Sequence, residues 1–378
     1  MATLEQLVEL DMLNECSIEC TKQSRWKEST QRYIADMLIR NVQLQDDVLS
    51  GRYRVSPTID FTINERGHIR KIEAPVVRDR NVQKSLMKNV LIPSLRPYII
   101  YDNYASLKQR GTAFARKRFE IMLRRYIAKY GTDGYILLGD FEKYFESISH
   151  DALKSMIAPR ITNEPKDVVD LVHYMIDTSS HSENGLNLGS EDPQIFAVYY
   201  LTPIDVYVKV VRGKKYYGHY MDDFFCIATS KEELNELLSS IEEKAKDIHL
   251  RINRKKTHIK RISQGFMFLQ VRYTITKTGK ILKRPARKKI SRERRRLRAF
   301  RRMYDRGQMR EADIFNCYQS WRGTVVNEHN VCHKIIASMD ALYHELFPVH
   351  EEKEKPSRKA VVKAINREIE REDIYCLT

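Results

Sequence analysis

Three acids limit what this chain can be more than any other feature. Residues 134–140 form a short apolar run that ends on Asp140, and helix-compatible sequence resumes at His150. A carboxylate is therefore expected at a strand end. Met221, Asp222 and Asp223 lie between the apolar runs Tyr216–Tyr220 and Phe224–Ala228, which reads as a hairpin with two acids at its tip. A sheet pairing these strands would gather three carboxylates, and such a cluster repels itself without cations. Two Mg²⁺ ions about 4 Å apart would neutralise it, activate a 3′-hydroxyl and stabilise a pyrophosphate leaving group in an in-line displacement. Spacing alone does not decide the matter, because Asp-Asp pairs are common. Asp46-Asp47 is another here, and it reads as a solvated helix end.

The rest of the pattern alternates helix and strand. Residues 1–55 carry apolar positions at helical spacing (Leu4, Leu7 and Leu10, later Tyr33, Met37 and Leu38), which predicts a helical N-terminal extension. Thr58–Ile63 and Arg70–Val77 flank the turn-like Asn64-Glu65-Arg66-Gly67 and read as a hairpin. Helical patterns follow over Val82–Leu95 and Thr112–Tyr130. Ser230 and Glu233 form a capping-box pattern before Leu234, Leu237, Leu238, Ile241 and Ala245, an apolar stripe fit to cover a sheet. The fold class is α+β, with no internal repeat.

Between Lys283 and Arg302, 12 of 20 residues are Lys or Arg and only Glu293 is acidic, while Ile290, Leu297, Phe300 and Tyr304 share one helical face. Like charges at that density repel unless an anion is present. The whole chain agrees: 66 Lys plus Arg against 50 Asp plus Glu leave a net charge of +16, which favours a polyanionic partner. With 378 residues and 42% hydrophobic side chains, the chain is long and apolar enough for two or three packed units, which excludes a disordered basic tail. The first residues lack a basic segment followed by an apolar one, and no run approaches a membrane span, so neither secretion nor membrane insertion is expected. Cys16 and Cys20 have no second close pair to complete a zinc site, and the six cysteines read as reduced thiols of a cytoplasmic protein.

Flanking residues sharpen the reading. Asp140-Phe141-Glu142-Lys143-Tyr144-Phe145-Glu146-Ser147-Ile148 and Tyr220-Met221-Asp222-Asp223 resemble motifs A and C of reverse transcriptases. The likeness continues in order over about residues 60–345. Arg70-Lys71-Ile72 with Arg78-Asp79-Arg80-Asn81-Val82-Gln83 resembles the fingers segment, and Arg110-Gly111-Thr112 the block that follows. Asn253-Arg254-Lys255-Lys256-Thr257 resembles motif D, and Gly265-Phe266-Met267-Phe268-Leu269 the primer-grip hairpin. The block Gly185–Gln194 and the thumb-like Tyr318-Gln319-Ser320-Trp321-Arg322-Gly323 are most similar to compact prokaryotic members, those of diversity-generating retroelements and of retron, phage and defence lineages. Pro193 and Gln270 depart from that pattern, which commonly has Ser and Gly there.

The resemblance implies a right-hand polymerase: an N-terminal helical extension (1–55), fingers and palm (56–282), a helical thumb (283–350) and a charged tail (351–378). It implies RNA-directed DNA synthesis with two Mg²⁺ ions, Mn²⁺ able to substitute, held by Asp140, Asp222, Asp223 and the backbone carbonyl of Phe141. Lys256 would protonate the departing pyrophosphate. Arg70 would grip the triphosphate, with Arg80 either beside it or structural. Phe145 would exclude a 2′-hydroxyl, Leu188 would stand where other members use glutamine against the incoming sugar, and Gln194 would belong to the same nucleotide site. Arg287, Arg294, Arg295, Arg298 and Arg302 would hold duplex phosphates. The implied partners are a dedicated structured RNA template, the cDNA product and dNTPs, with room for an accessory protein. Two alternatives stay open: a catalytically silent RNA-binding scaffold, and an RNA-dependent RNA polymerase, which Phe145 and the lack of Gly before Asp222 disfavour.

Overall fold

A computed structural model describes residues 2–65, 68–180, 182–187 and 192–348, with the backbone alone at 64, 65, 68, 70 and 192. The chain divides into two compact units. The first comprises Met1–Leu269 and Tyr273–Ile281, the second Gln270–Arg272 and Leu282–Thr378.

The first unit opens with helices, as the apolar spacing requires. Helices α1 (Leu10–Thr21) and α2 (Met37–Leu49) pack with α3 (Val77–Leu86). A buried polar cluster joins them: Asn81 Nδ2 donates to Ser17 Oγ at 2.6 Å, and the Tyr33 hydroxyl donates to Asn41 Oδ1 at 2.8 Å. Such bonds fix one register between helices, since an unmet buried polar group is costly. Leu38, expected on the face of Tyr33, is 64% exposed. The helix breaks at Asp36, whose backbone leaves the helical region, so the stripe does not carry across. Asp46 and Asp47 are not simply solvated, because they pair with Arg52 and Arg78.

Strands β1 (Ile59–Glu65) and β2 (His68–Ala74) form the expected hairpin. The helical pattern after it starts at Val77 rather than Val82 and includes a π-helical stretch at Met87–Leu91. Helix α4 (Thr112–Tyr130) follows, its Phe119 ring set edge-on to Phe225 at 4.8 Å. Strands β3 (Tyr135–Gly139), β4 (Tyr217–Tyr220), β5 (Asp223–Ala228) and β6 (His258–Arg261) build an antiparallel sheet of order β4-β5-β3-β6. Helix α5 (Asp192–Tyr200) supplies buried Ile195, Phe196 and Val198 to the core. Helix α6 (Lys231–Asp247) packs on the sheet through Leu234, Leu237, Leu238 and Ile241. Ser230 caps it, accepting from the Glu233 N–H at 3.1 Å. Three short strands, β7 (Phe266–Phe268), β8 (Val271–Ile275) and β9 (Ile281–Pro285), come next along the chain.

Among its described residues the second unit holds three helices: α7 (Arg287–Asp305), α8 (Glu311–Glu328) and α9 (His333–Leu346). Leu297 packs with Ile314, Tyr318, Val325, Met339 and Tyr343, and Ile290, Phe300 and Tyr304 close over that cluster as their spacing predicts. Tyr318 stacks on Tyr343 at 4.6 Å and donates its hydroxyl to Asp340 at 2.6 Å. Among the described residues, Cys16, Cys20, Cys226, Cys317 and Cys332 form no disulfide. Among the described residues no helix is long and apolar enough to cross a membrane.

Candidate active site

The sheet register brings the acids together. Gly139 pairs with Phe224, so the same antiparallel ladder carries Asp140 towards Asp223, the first residue of β5. The Phe224 ring lies over residue 139 so closely that a Cβ on Gly139 would stand 2.1 Å from it. Only glycine fits there. On its other side Asp140 is held by the segment after α6. Its carbonyl accepts from the Asn253 N–H at 2.8 Å and its own N–H donates to Thr257 Oγ1 at 3.3 Å. Phe141 bridges Ile252, and the Glu142 N–H donates to the Arg251 carbonyl at 2.8 Å. Both main-chain polar groups of Asp140 are thus held by the 253–257 segment, while the ladder to β5 fixes the residue before it.

Asp222 rides on a tight turn. Tyr220 pairs with Asp223, which leaves Met221 and Asp222 alone at the tip. Met221 has φ 52°, the left-handed conformation that a two-residue II′ turn usually reserves for glycine at this place. The turn projects Asp222 at the sheet end, next to the carboxylates of the neighbouring strands.

Burial and mutual repulsion show in the acids themselves. Asp140 is 5% exposed; its Oδ2 accepts from Lys256 Nζ at 2.8 Å, while its Oδ1 is buried with no hydrogen-bond partner. Burial first, then the charges of Asp222 and Asp140, push the Asp223 carboxyl up to about 7, with Lys256 opposing. Water reaches Asp223 from one side and screens part of this effect. The Lys256 ammonium is raised above its ordinary value by its hydrogen bond to Asp140, helped by the charges of all three acids and opposed by partial desolvation. Its side chain is nevertheless 63% exposed.

A buried carboxylate oxygen without a donor, beside two further carboxylates, is an all-oxygen set that suits a hard divalent cation. The residues fit such ions, although no group of three or more His, Cys, Asp or Glu side chains is pre-assembled as a metal site among the described residues. In this arrangement Lys256 takes the place of a cation at Asp140 Oδ2.

The other expected site residues fall in several places. The Phe141 ring is buried against Tyr144 and Phe224, at 5.9 and 5.4 Å between ring centres. Phe145 is half-buried, edge-on to Tyr144, and its carbonyl accepts from the Leu186 N–H at 2.9 Å, so the segment after Asp140 touches the one leading into α5. On α5 the exposed Gln194 accepts from Ser106 Oγ at 3.0 Å. Arg80 lines a small recess with Cys20, Gln83 and Lys84 where α3 meets α1. The backbone of Arg70 pairs with Ile63 in the hairpin, and its side chain lies outside the described residues, as does Leu188. Arg287, Arg294, Arg295, Arg298 and Arg302 are all exposed on α7. At about 100° per residue they span an arc of roughly 100°, facing away from the buried stripe.

Sequence reading missed the groups that hold the acids. Thr257 stood in the block that resembles motif D without a role of its own, and Gly139 as one apolar strand residue. Beneath β4, His219 and Asp205 are fully buried, with His219 Nε2 at 3.0 Å from Asp205 Oδ2 and the Tyr217 hydroxyl donating to Asp205 Oδ1 at 2.9 Å. An ionisable residue inside the otherwise apolar run Tyr216–Tyr220 was the available signal.

Comparison with known proteins bears on the same region. Residues 62–274, more than half of the chain, match the family described as reverse transcriptase (RNA-dependent DNA polymerase). No curated protein matches the chain. Among solved structures it is similar to apo telomerase from Candida tropicalis truncated from its C-terminal domain, at 14% identity and a TM-score of 0.44, over 64% of this chain and 59% of that one. It is also similar to telomerase from Candida albicans in complex with a TWJ fragment of telomeric RNA, at 10% identity and a TM-score of 0.47, over 76% and 55%. The chain thus spans little more than half the length of these telomerase chains.

Proposed function

The chain belongs to the reverse transcriptase family, and from that membership we propose that it is an RNA-directed DNA polymerase whose reaction centre is the end of the β4-β5-β3 sheet. The observation that carries the reading is the meeting of Asp140 with Asp222 and Asp223 inside the span that matches the family.

Asp140, Asp222 and Asp223, with the carbonyl of Phe141, would hold the divalent ions, Mg²⁺ being the cation best suited to carboxylate oxygens. When bound, such ions activate the attacking 3′-hydroxyl and neutralise charge on the transferring phosphoryl group. The protein's own part is to keep the acids in register, which Gly139 does by leaving room for the Phe224 ring, Thr257 through its hydroxyl and Asn253 through its backbone N–H. Lys256 holds a proton at Nζ beside Asp140, on a side chain exposed enough to turn towards a departing pyrophosphate. Phe145 presents a half-buried ring that would leave no room for a 2′-hydroxyl. The arginine face of α7 would take duplex phosphates without regard to sequence, the role of a thumb.

The resemblance of the block around Gln194 supports a dedicated structured RNA as template, in a diversity-generating retroelement, retron or phage-defence system. The test is primer extension on an RNA template. DNA made from dNTPs only with Mg²⁺ or Mn²⁺ supports the reading; RNA binding without synthesis would favour a scaffold, and preference for ribonucleotides an RNA polymerase. Sequencing the nucleic acid that copurifies would identify the template.

A further inference from the structure

His219 is bonded through every polar atom it has. Its N–H donates to the Asp102 carbonyl at 3.1 Å and its carbonyl accepts from the Tyr104 N–H at 3.0 Å, so that residues 102–104 lie along β4. This close approach is possible because residue 218 is glycine: a Cβ there would stand 2.4 Å from the Tyr104 hydroxyl. On the ring, Nε2 faces Asp205 Oδ2 at 3.0 Å and Nδ1 faces the Met221 carbonyl at 3.1 Å. Both partners are acceptors, so the geometry calls for a proton on each nitrogen. Asp205 and His219 are each fully buried, and a buried charge of either sign persists only when paired. Burial alone would pull the imidazole down; Asp205 and the Met221 carbonyl more than offset it, and His219 is raised above its ordinary value.

Met221 is the residue in the left-handed conformation that precedes Asp222. A side chain pays a steric cost there that glycine does not.

We propose that His219 is a positioning residue for Asp222: Asp205 orients its ring, and its Nδ1–H holds the Met221 carbonyl, which keeps the left-handed turn that aims Asp222 at the metal-binding end of the sheet. This rests on the reading of Asp222 as a metal ligand. A merely structural role would consist of filling the space under β4 and neutralising Asp205.

Two substitutions separate these roles. His219→Gln sets an amide nitrogen near the place of Nε2, which keeps the bond to Asp205 and loses the one to Met221. His219→Asn sets it near the place of Nδ1, with the opposite result. Mn²⁺ affinity of the full chain, read from the electron paramagnetic resonance of free Mn²⁺, is measured beside thermal unfolding. Both substitutions remove the charge that neutralises Asp205 and should lower the unfolding temperature, His219→Asn further because it also loses the Asp205 bond. His219→Gln should nevertheless bind Mn²⁺ about tenfold more weakly, whereas His219→Asn should stay within about threefold of native affinity, the range one buried hydrogen bond commands. Metal affinity that follows thermal stability across the variants, or native affinity in His219→Gln, would overturn the proposal. If His219→Asn does not fold, Met221→Gly in the His219→Gln background serves instead. Glycine adopts the turn unaided and should recover most of the lost affinity; no recovery would overturn the proposal. A native protein that binds Mn²⁺ but makes no DNA defeats the polymerase reading and leaves this one to the affinities. An active polymerase whose Mn²⁺ affinity ignores these changes defeats only the role of His219.

Discussion

The sheet end of the first unit and the basic face of α7 are both built from charge, and they are built in opposite ways. Asp140 is held by the 253–257 segment through both its main-chain polar groups, beside a Phe224 ring that admits no side chain at position 139. The arginines of α7 stand exposed on flexible stems, five on one face, with Arg294 touching only Ser338 among the bonds described for them. Chemistry on a reacting phosphorus requires placement within a fraction of an ångström, and strands supply it. Holding a polyanion requires charge density, for which many interchangeable side chains suffice.

The comparison breaks first at Asp140. Asp140→Asn keeps the shape, removes charge from the cluster and takes from Lys256 its ion-pair partner. Primer extension should fall by about 10³-fold or more, while RNA affinity stays near native. A variant that extends primers within tenfold of native would remove Asp140 from the centre.

Phe145→Ala tests the ring expected beneath the incoming sugar. Opening the space under the sugar should raise ribonucleotide incorporation relative to deoxynucleotide by a factor equivalent to about 1 to 3 kcal/mol, the scale of an overpacked contact. Single-nucleotide competition on one template reads the ratio; an unchanged ratio places the gate elsewhere.

A smaller effect follows from Asp223, whose carboxyl is pushed up to about 7 from 3.8. The folded metal-free protein keeps a proton that the unfolded chain gives up, so stability should decline as pH rises from about 4 to 7. Metal binding requires the carboxylate, so Mg²⁺ affinity should run the other way, rising with pH by at most about tenfold per unit and levelling off above about pH 7. Isothermal titration in two buffers of different ionisation heat reads the accompanying proton release. Affinity independent of pH between 5.5 and 8 would contradict the coupling of the three acids.

The smallest effect is expected on α7. Each of Arg287→Ala, Arg295→Ala and Arg298→Ala should weaken RNA binding only a few-fold, alike for all sequences, and reduce the slope of log affinity against log salt by about 1. Filter binding at a series of salt concentrations measures it. A single arginine whose loss abolished binding, or changed sequence preference, would make the second unit a site of the first kind.

Much of this contrast was readable from the sequence because it is written locally. The runs ending at Asp140 and flanking Asp222 are short and apolar, so strands and their acidic ends could be placed, and the periodicity of Ile290, Leu297, Phe300 and Tyr304 gave the buried side of α7. What failed depends on neighbours distant in sequence. Nothing near Gly139 announces Phe224, and nothing near His219 announces Asp205. Leu38 continued an apolar spacing across Asp36, where the helix ends, and the π-helical stretch at Met87–Leu91 leaves no mark in a pattern of period 3.6. Periodicity reports which side faces the core; it does not report which residue stands opposite.

Single-turnover extension from a preformed primer–template complex, at protein concentrations above the dissociation constant, tests the division of labour most directly. Asp222→Asn should bind the RNA template as the native chain does and lose the chemical rate constant by about 10³-fold or more. The triple variant Arg294→Ala/Arg295→Ala/Arg298→Ala should bind more weakly and, once saturated, extend at the native rate. Native-rate extension by Asp222→Asn would contradict the account.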